Sequence, residues 1–345
     1  MPACNLLFRA DGNTQIGQGH LTRCLALAQA VTARGCHASF LTARSNASLL
    51  VNQIESQGIA VWHLTAEPGS AQDAKETIEC ANREGSTWLV VDGYSFDCSY
   101  QGALKQAGLH VLFIDDHGNA DRYTADLVLN QNLHATESMY PLRDAKTRLL
   151  LGAGYALLRQ EFWQWRGWQR KIEDVGRKIL ITMGGSDPQN VSLTALRAVQ
   201  ELNLPEIEVR VMVGSGNLNQ RSLEEQSLKG GTVKVERTPK VAEVMMWADL
   251  AISAAGSTCW ETCFLGLPTV VMALADNQIP IAAALHAQGI SVNAGKSQES
   301  IRERVRGLMS DRPQRKMMSE RGKALIDGQG AFRVTDVLLG GGACA

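Results

Sequence analysis

The run Gly17-Gln18-Gly19-His20 stands directly after an apolar strand candidate, Asn5–Asp11, and directly before a helical pattern. Leu21, Cys24, Leu25, Ala28 and Val31 recur at helical spacing and predict an amphipathic helix from about Leu21 to Arg34. His20 then opens a helix. Glycines there let backbone N–H groups approach a polar or anionic ligand, and the positive end of a helix favours the neutral form of an imidazole. A neutral imidazole beside a ligand pocket can serve as a general base. The same histidine also fits a structural role, capping the helix or satisfying a backbone group.

Two further turns suit a diphosphate. Met183-Gly184-Gly185-Ser186-Asp187 closes a strand ahead of Pro188, and Ala255-Gly256-Ser257-Thr258 follows strand Leu250–Ser253 and opens a helix from Cys259 to Leu265. Small residues expose backbone N–H groups, and two helix N-termini aimed at one cleft could neutralise a diphosphate without a metal or a lysine. Neither turn carries the Lys-Ser/Thr of a Walker motif or the GxGxxG fingerprint, which removes support from ATP hydrolysis and nicotinamide chemistry. Glu261 suits the two adjacent hydroxyls of a ribose, or simply the N-terminal turn of its helix. Asn277 and Gln278 carry both donors and acceptors, as sugar hydroxyl and amide groups require, and equally suit an N-cap. In the first half, Asp92-Gly93-Tyr94 and Asp115-Asp116-His117 end two strands. Tyr94 suits orienting a water or sugar oxygen, or packing as a partly buried aromatic. Asp115 and Asp116 read as strand-end and turn chemistry, with no nucleotide signal beside them that would make them metal ligands.

The elements that must position these residues alternate along the whole chain. Strand candidates at 5–11, 37–43, 59–64, 87–92, 110–115 and 127–131, then at 178–183, 207–213, 232–236, 250–254, 269–274 and 290–293, are separated by helical segments. That alternation predicts an α/β protein of two doubly wound halves, with ligands outside the carboxyl ends of the strands and a cleft between the halves. The expected division is an N-terminal domain over 1–160, a tryptophan-rich connector over 161–176 and a C-terminal domain over 177–345 with a terminal helix near Phe332–Leu339 and a disordered tail after it. A chain of 345 residues fits two such domains. With 45% hydrophobic and 20% charged residues and a formal net charge of −1, it offers no electrostatic case for nucleic acid or an anionic membrane. No apolar run reaches the ~18 residues of a membrane span, and the first strand starts without a signal-like segment, so a cytoplasmic location is expected. The eight cysteines are scattered without a CxxC pair and read as buried free thiols. Cys259 and Cys263, one turn apart, lack further ligands for a metal, no GxSxG elbow is present, and Cys24 reads as part of a buried helix face.

In order and spacing these motifs resemble the UDP-sugar hydrolases of pseudaminic acid biosynthesis. The carrying segments are Phe8–Asp11 with Ile16–Arg23, Tyr155–Arg159 with Glu161-Phe162, Met183–Asp187, Gly256–Thr258 with Glu261, Leu265–Pro268, and Asn277-Gln278. That family is similar to the inverting UDP-GlcNAc glycosyltransferase that makes lipid II. The resemblance implies two Rossmann-like domains facing a cleft, the GT-B arrangement, with the nucleotide held mainly by the C-terminal domain. It implies His20 as general base, with Tyr94 and Arg159 near the sugar or diphosphate. It also implies substrate contacts from Asp11, Gly17, Gly19, Asn277 and Gln278, and nucleotide contacts from Gly184, Gly185, Gly256, Ser257, Thr258 and Glu261. Gly93 and Trp260 stand where some members carry His and Asn.

The expected reaction is therefore inverting, metal-independent and cofactor-free hydrolysis of UDP-2,4-diacetamido-2,4,6-trideoxy-β-L-altropyranose. A UDP-sugar glycosyltransferase with an acceptor of its own, and a non-catalytic UDP-sugar sensor, are the competing readings. No convincing basic and apolar run marks a membrane-docking surface for the former.

Overall fold

The computed structural model describes residues 4–13, 17–44, 49–118, 120–204, 206–214 and 216–340. The expected tail beyond Gly340, with Cys344, and Ile16 of the first motif lie outside these residues. Two compact units emerge: residues 1–13, 20–160 and 329 onward form the first, and residues 14–19 with 161–328 form the second.

The first unit is built on β1 (Asn5–Ala10), β2 (His37–Ala43), β3 (Ala60–Leu64), β4 (Trp88–Asp92), β5 (His110–Ile114), β6 (Leu127–Asn130) and β7 (Arg148–Leu151). They form one parallel sheet in the order β3-β2-β1-β4-β5-β6-β7. Helices α1 (Gly19–Ala33), α2 (Leu49–Ser56), α3 (Ala71–Arg83) and α4 (Cys98–Gln106) make the crossovers. A parallel sheet covered on both faces calls for unbroken apolar runs. Leu89, Val90 and Val91 of β4, and Val111, Leu112 and Ile114 of β5, meet that demand and are buried. β7 is a strand that the periodicity leaves out, because only three leucines separate Arg148 from Gly152.

Helix α1 departs from the expected amphipathic pattern. From His20 to Val31 every residue except Thr22 is buried. Alanines, leucines, Cys24 and Val31 fill most of the segment, and the buried His20, Arg23 and Gln29 do not build a solvated face.

Along the chain the main body of the second unit begins within α5 (Gln160–Trp163), whose first residue belongs to the first unit. Its sheet comprises β8 (Lys178–Thr182), β9 (Glu208–Met212), β10 (Thr232–Glu236), β11 (Leu250–Ala254), β12 (Thr269–Met272) and β13 (Ser291–Asn293), parallel and ordered β10-β9-β8-β11-β12-β13. Helices α6 (Val191–Gln200), α7 (Gln220–Ser227), α8 (Val241–Trp247), α9 (Thr258–Phe264), α10 (Ile279–Ala287), α11 (Gln298–Ser310) and α12 (Arg312–Leu325) complete it.

The expected connector is fastened within this unit. Half-buried Arg170 donates to the carbonyls of Met245 (2.8 Å), Leu265 (3.1 Å) and Ala248. Arg315 donates to those of Glu173 and Asp174 from the other side. The last helix, α13 (Gly330–Leu338), belongs to the first unit rather than to the C-terminal domain that the strand rhythm assigns it to. There a side chain on Gly330 would meet the backbone of Ala156 at 2.2 Å, and Arg333 donates to the Gly154 carbonyl at 2.8 Å. No helix among the described residues is long and apolar enough to cross a membrane.

In both sheets the strand order reverses once, between β1 and β4 and between β8 and β11. Loops leaving the carboxyl ends of those strands diverge to opposite faces, which opens the crevice where doubly wound sheets take ligands.

Candidate active site

His20 stands in the first turn of α1, the helix that follows β1, and Asp92 ends β4; β1 and β4 flank the reversal of the first sheet, where Ala10 and Asp92 are register partners. The His20 Nδ1 lies 2.6 Å from Oδ1 of Asp92. Arg23, one turn further along α1, places Nε 2.5 Å from Oδ2 and Nη2 2.6 Å from Oδ1 of the same carboxylate. Its Nη1 donates to Asp116 Oδ1 at 2.7 Å. Asp116 also accepts from Asn132 Nδ2 at 3.0 Å and from the Tyr94 hydroxyl at 3.2 Å.

Charge fixes the proton positions. Burial opposes ionisation of Asp92, but Arg23 and then His20 outweigh it and hold the carboxyl well below the usual carboxylate range. Arg23 does the same for Asp116 against its own burial. An ionised carboxylate only accepts, so Nδ1 of His20 is the donor in the contact with Asp92. In neutral His20 the lone pair is then on Nε2, the arrangement a general base needs.

Tyr94 is 55% exposed and packs edge-on to His20, with ring centroids 4.9 Å apart. Burial and the Asp116 charge push its phenol above the ordinary value, so it stays a neutral hydroxyl. Gly93 has φ 154°, and a Cβ there would come within 2.8 Å of the Phe96 ring, which explains glycine at this position. Asp115 is the turn residue its position suggests, accepting from the backbone of Asp116, His117 and Gly118 and from the Tyr123 hydroxyl. Asp116 is not a turn residue: it belongs to the ionic cluster. The Asp11 carboxylate is engaged by Arg9 at 2.8 Å and by the Ala43 N–H at 2.8 Å. Arg9 in turn is bound by fully buried Asp73, so this network braces the end of β1. Arg159 is half-buried in the first unit, in the segment after β7. Cys24 is buried with its thiol pushed well up by desolvation, which excludes a thiolate nucleophile.

In the second unit, Gly184 and Gly185 follow β8, Gly256, Ser257 and Thr258 follow β11, and Asn277 and Gln278 follow β12, three adjacent strands. Gly184 has φ 79°. The backbone of this turn is approached so closely that a Cβ on Gly214 would sit 2.2 Å from the Gly184 carbonyl oxygen. Gly216 N–H donates to the Gly185 carbonyl at 2.9 Å. Gln278 accepts from the Leu274 N–H at 2.9 Å through Oε1, and its Nε2 lies 3.7 Å from the Cβ position of Gly256. Glu261 is buried on α9. The expectation of two open helix N-termini needs correction: Asp187 turns back with φ 53° and accepts from Val191 N–H (2.8 Å) and Ser192 N–H (2.9 Å), already covering the start of α6 with a carboxylate.

Arg23, Asp92, Asp116, Asn132 and Gly214 are the residues that sequence reasoning did not assign to a site. A signal existed for Arg23, which is the one Lys, Arg, Asp or Glu in α1. The Gly295-Lys296-Ser297 run is no phosphate loop: residue 290 is Ile where the motif requires glycine, and Ser297 caps α11 by accepting from Ser300 N–H. Among the described residues, no group of three or more His, Cys, Asp or Glu is placed to hold a metal ion.

The two reversals and their loops define a two-domain α/β protein of the GT-B fold. Residues 179–329 match the family model of the glycosyltransferase family 28 C-terminal domain. Over nearly the whole chain the sequence is similar to the Spore coat polysaccharide biosynthesis protein SpsG of Bacillus subtilis, with 25% identity across 336 residues, 95% of this chain and 96% of that protein. It is 27% identical over 290 residues to the UDP-2,4-diacetamido-2,4,6-trideoxy-beta-L-altropyranose hydrolase of Campylobacter jejuni, covering 83% of this chain and 98% of that one. Among solved structures, MurG of Acinetobacter baumannii superposes with a TM-score of 0.67 at 16% identity, over 98% of this chain and 99% of that chain.

Proposed function

We propose that this chain hydrolyses UDP-2,4-diacetamido-2,4,6-trideoxy-β-L-altropyranose to UDP and the free sugar, with inversion at C1. The observation that carries this reading is the His20 imidazole held through Nδ1 by Asp92, with Nε2 left as the basic atom, at the strand-order reversal of the first sheet. The likeness to the Campylobacter jejuni hydrolase supplies the substrate class. Water attacks C1 on the face opposite the leaving group. Its proton passes to Nε2 of His20, the new C1–O bond forms, and the bond to UDP breaks with its electron pair on the diphosphate. A nucleoside diphosphate leaves without protonation, so a base, orientation and electrostatic stabilisation suffice. Tyr94 and Arg159 serve the sugar and diphosphate in this scheme. Gly184, Gly185, Gly256, Ser257 and Thr258 take the nucleotide, Glu261 the ribose, and Asn277 and Gln278 the substrate side of the same strand edge. Asp11, Gly17 and Gly19 shape the approach to His20.

Proton NMR of the purified chain with this substrate, in chelator and without any acceptor, tests the reading. UDP and a free sugar of inverted configuration are expected. The family 28 match over 179–329 favours a second reading, transfer of the sugar to an acceptor hydroxyl. UDP binding without release of free sugar would select it and overturn hydrolysis.

A further inference from the structure

The mechanism above uses His20 and Asp92 and leaves two charged neighbours without a task. Arg23 is buried and shared, gripping both oxygens of Asp92 and one of Asp116. Asp116 is buried and receives three donors, from Arg23, Asn132 and Tyr94. The groups around Asp116 come from several elements: His20 and Arg23 on α1, Asp92 and Tyr94 at the end of β4, and Asn132 and His134 after β6, with His117 packed against Tyr94. One cation and two carboxylates leave the cluster with one negative charge while His20 is neutral. A proton arriving on His20 cancels it, and in a buried setting that balance is worth far more than in water.

We propose that Asp116 is a positioning residue for His20: through Arg23 it fixes the carboxylate that holds Nδ1, and its charge is the counterweight to the imidazolium formed in turnover. The inference rests on His20 being the base. It differs from a merely structural ion pair because it ties Asp116 to the tautomer and titration of a side chain it does not touch.

The test reads His20 directly, by two-bond proton–nitrogen correlation of the labelled full chain between about pH 5 and 9, with His20→Gln to assign the signal. Steady-state kinetics on the UDP-sugar run in parallel. The wild-type chain is expected to show the Nδ1–H tautomer. Asp116→Asn keeps the shape and an acceptor for Tyr94 but loses the charge. It is expected to move the His20 midpoint, and the acid limb of kcat/KM, down by about one pH unit, because removing a nearby negative charge disfavours the imidazolium. Its kcat should fall roughly 10-fold with KM within about twofold. Should that variant fail to fold, Arg23→Gln/Asp116→Asn removes one charge of each sign. Arg23→Gln alone loses the cation 3.3 Å from His20 Nδ1 and should titrate higher than the wild-type chain; against that single variant, the double variant is expected to titrate lower and to turn over more slowly, because the negative charge of Asp116 is then missing too. An unchanged midpoint in Asp116→Asn, or equal midpoints in Arg23→Gln and the double variant, overturns the proposal even if the wild-type chain releases UDP. The expected NMR changes in a chain that releases no UDP uphold the role of Asp116 and overturn hydrolysis instead.

Discussion

The two sheets reverse their strand order in the same way, yet their reversals are furnished differently. In the first unit the crevice edge carries His20, Arg23, Asp92 and Asp116, an ionic cluster in which every member has a partner at 2.7 Å or less. In the second the corresponding edge is Gly184, Gly185, Gly256 and Ser257. The carboxylate nearest to it in sequence, Asp187, is turned into the start of α6. One topology thus presents two chemically different edges. Ionisable groups, held by each other and buried, suit moving a proton. Bare backbone, approached closely by another turn at Gly214, suits cradling an anion without competing side chains. If this division is right, substitutions in the first unit should change kcat, and those in the second should change affinity.

The harshest trial is His20→Ala. Turnover of the UDP-sugar is expected to fall by about 10²- to 10⁴-fold, while UDP affinity, measured by calorimetry, stays within about twofold. Near-normal kcat, or loss of UDP binding with an intact fold, would break the comparison at its centre.

Asp92→Asn comes next. It removes the partner of two buried groups, and breaking such a pair costs about 3–5 kcal/mol of stability. It also weakens the hold on the Nδ1–H tautomer, so kcat should fall by about 10²-fold in the folded fraction. The pH dependence sharpens the point. Asp92 and Asp116 are depressed by Arg23 in the folded state, so their stabilisation is complete above the ordinary carboxylate value near ~4 and is lost as pH falls through the folded values. Urea unfolding between about pH 5 and 3 should therefore show the wild-type chain losing more stability than Asp92→Asn. Equal losses would mean that the cluster is not ionised as described.

A backbone substitution probes the other side. Gly214→Ala places a methyl 2.2 Å from the Gly184 carbonyl oxygen and 2.5 Å from that of Gly185, both main-chain atoms that cannot swing away. The turn must shift. UDP affinity is expected to drop roughly 10-fold, with ~1–3 kcal/mol of stability lost and kcat at saturation within about twofold of wild type. A fall in kcat without a change in affinity would erase the division of labour between the two edges.

Central strands such as β4, β5 and β11 are legible in sequence because a parallel sheet covered on both faces demands continuous apolar runs, whereas the largely uncovered edge strands β3 and β10 mix polar with apolar residues and follow only from the alternation of strand and helix. β7 escaped because three leucines after an arginine do not separate a strand from a turn. α13 was recognisable as a helix, but an apolar face shows that a helix is covered and not which sheet covers it. At the site, His20 was legible as the residue that opens a helix after a glycine turn and Tyr94 as one just past a strand end, and the structure brings their rings to 4.9 Å. Their ionic support was not: Arg23 reaches Asp92 across 69 positions and Asp116 across 93. No local period encodes such a pairing, and its one trace in the sequence is a lone charged side chain in a helix otherwise free of Lys, Arg, Asp and Glu.

The gentlest trial is Gln278→Ala. Its Oε1 accepts the Leu274 N–H at 2.9 Å, which ties the turn after β12 to the strand end, and its Nε2 reaches toward Gly256 after β11. Truncation loses one hydrogen bond of about 1 kcal/mol and loosens the turn that carries Asn277. UDP-sugar affinity should weaken about three- to tenfold, with kcat unmoved. Gln278→Glu keeps the acceptor for Leu274 but adds a negative charge. It should retain the stability of the turn and weaken UDP binding further, the more so at low salt, because an anionic ligand is then repelled. Equal affinity in the Ala and Glu variants would place the diphosphate away from Gly256, and the second edge would lose its claim to the nucleotide.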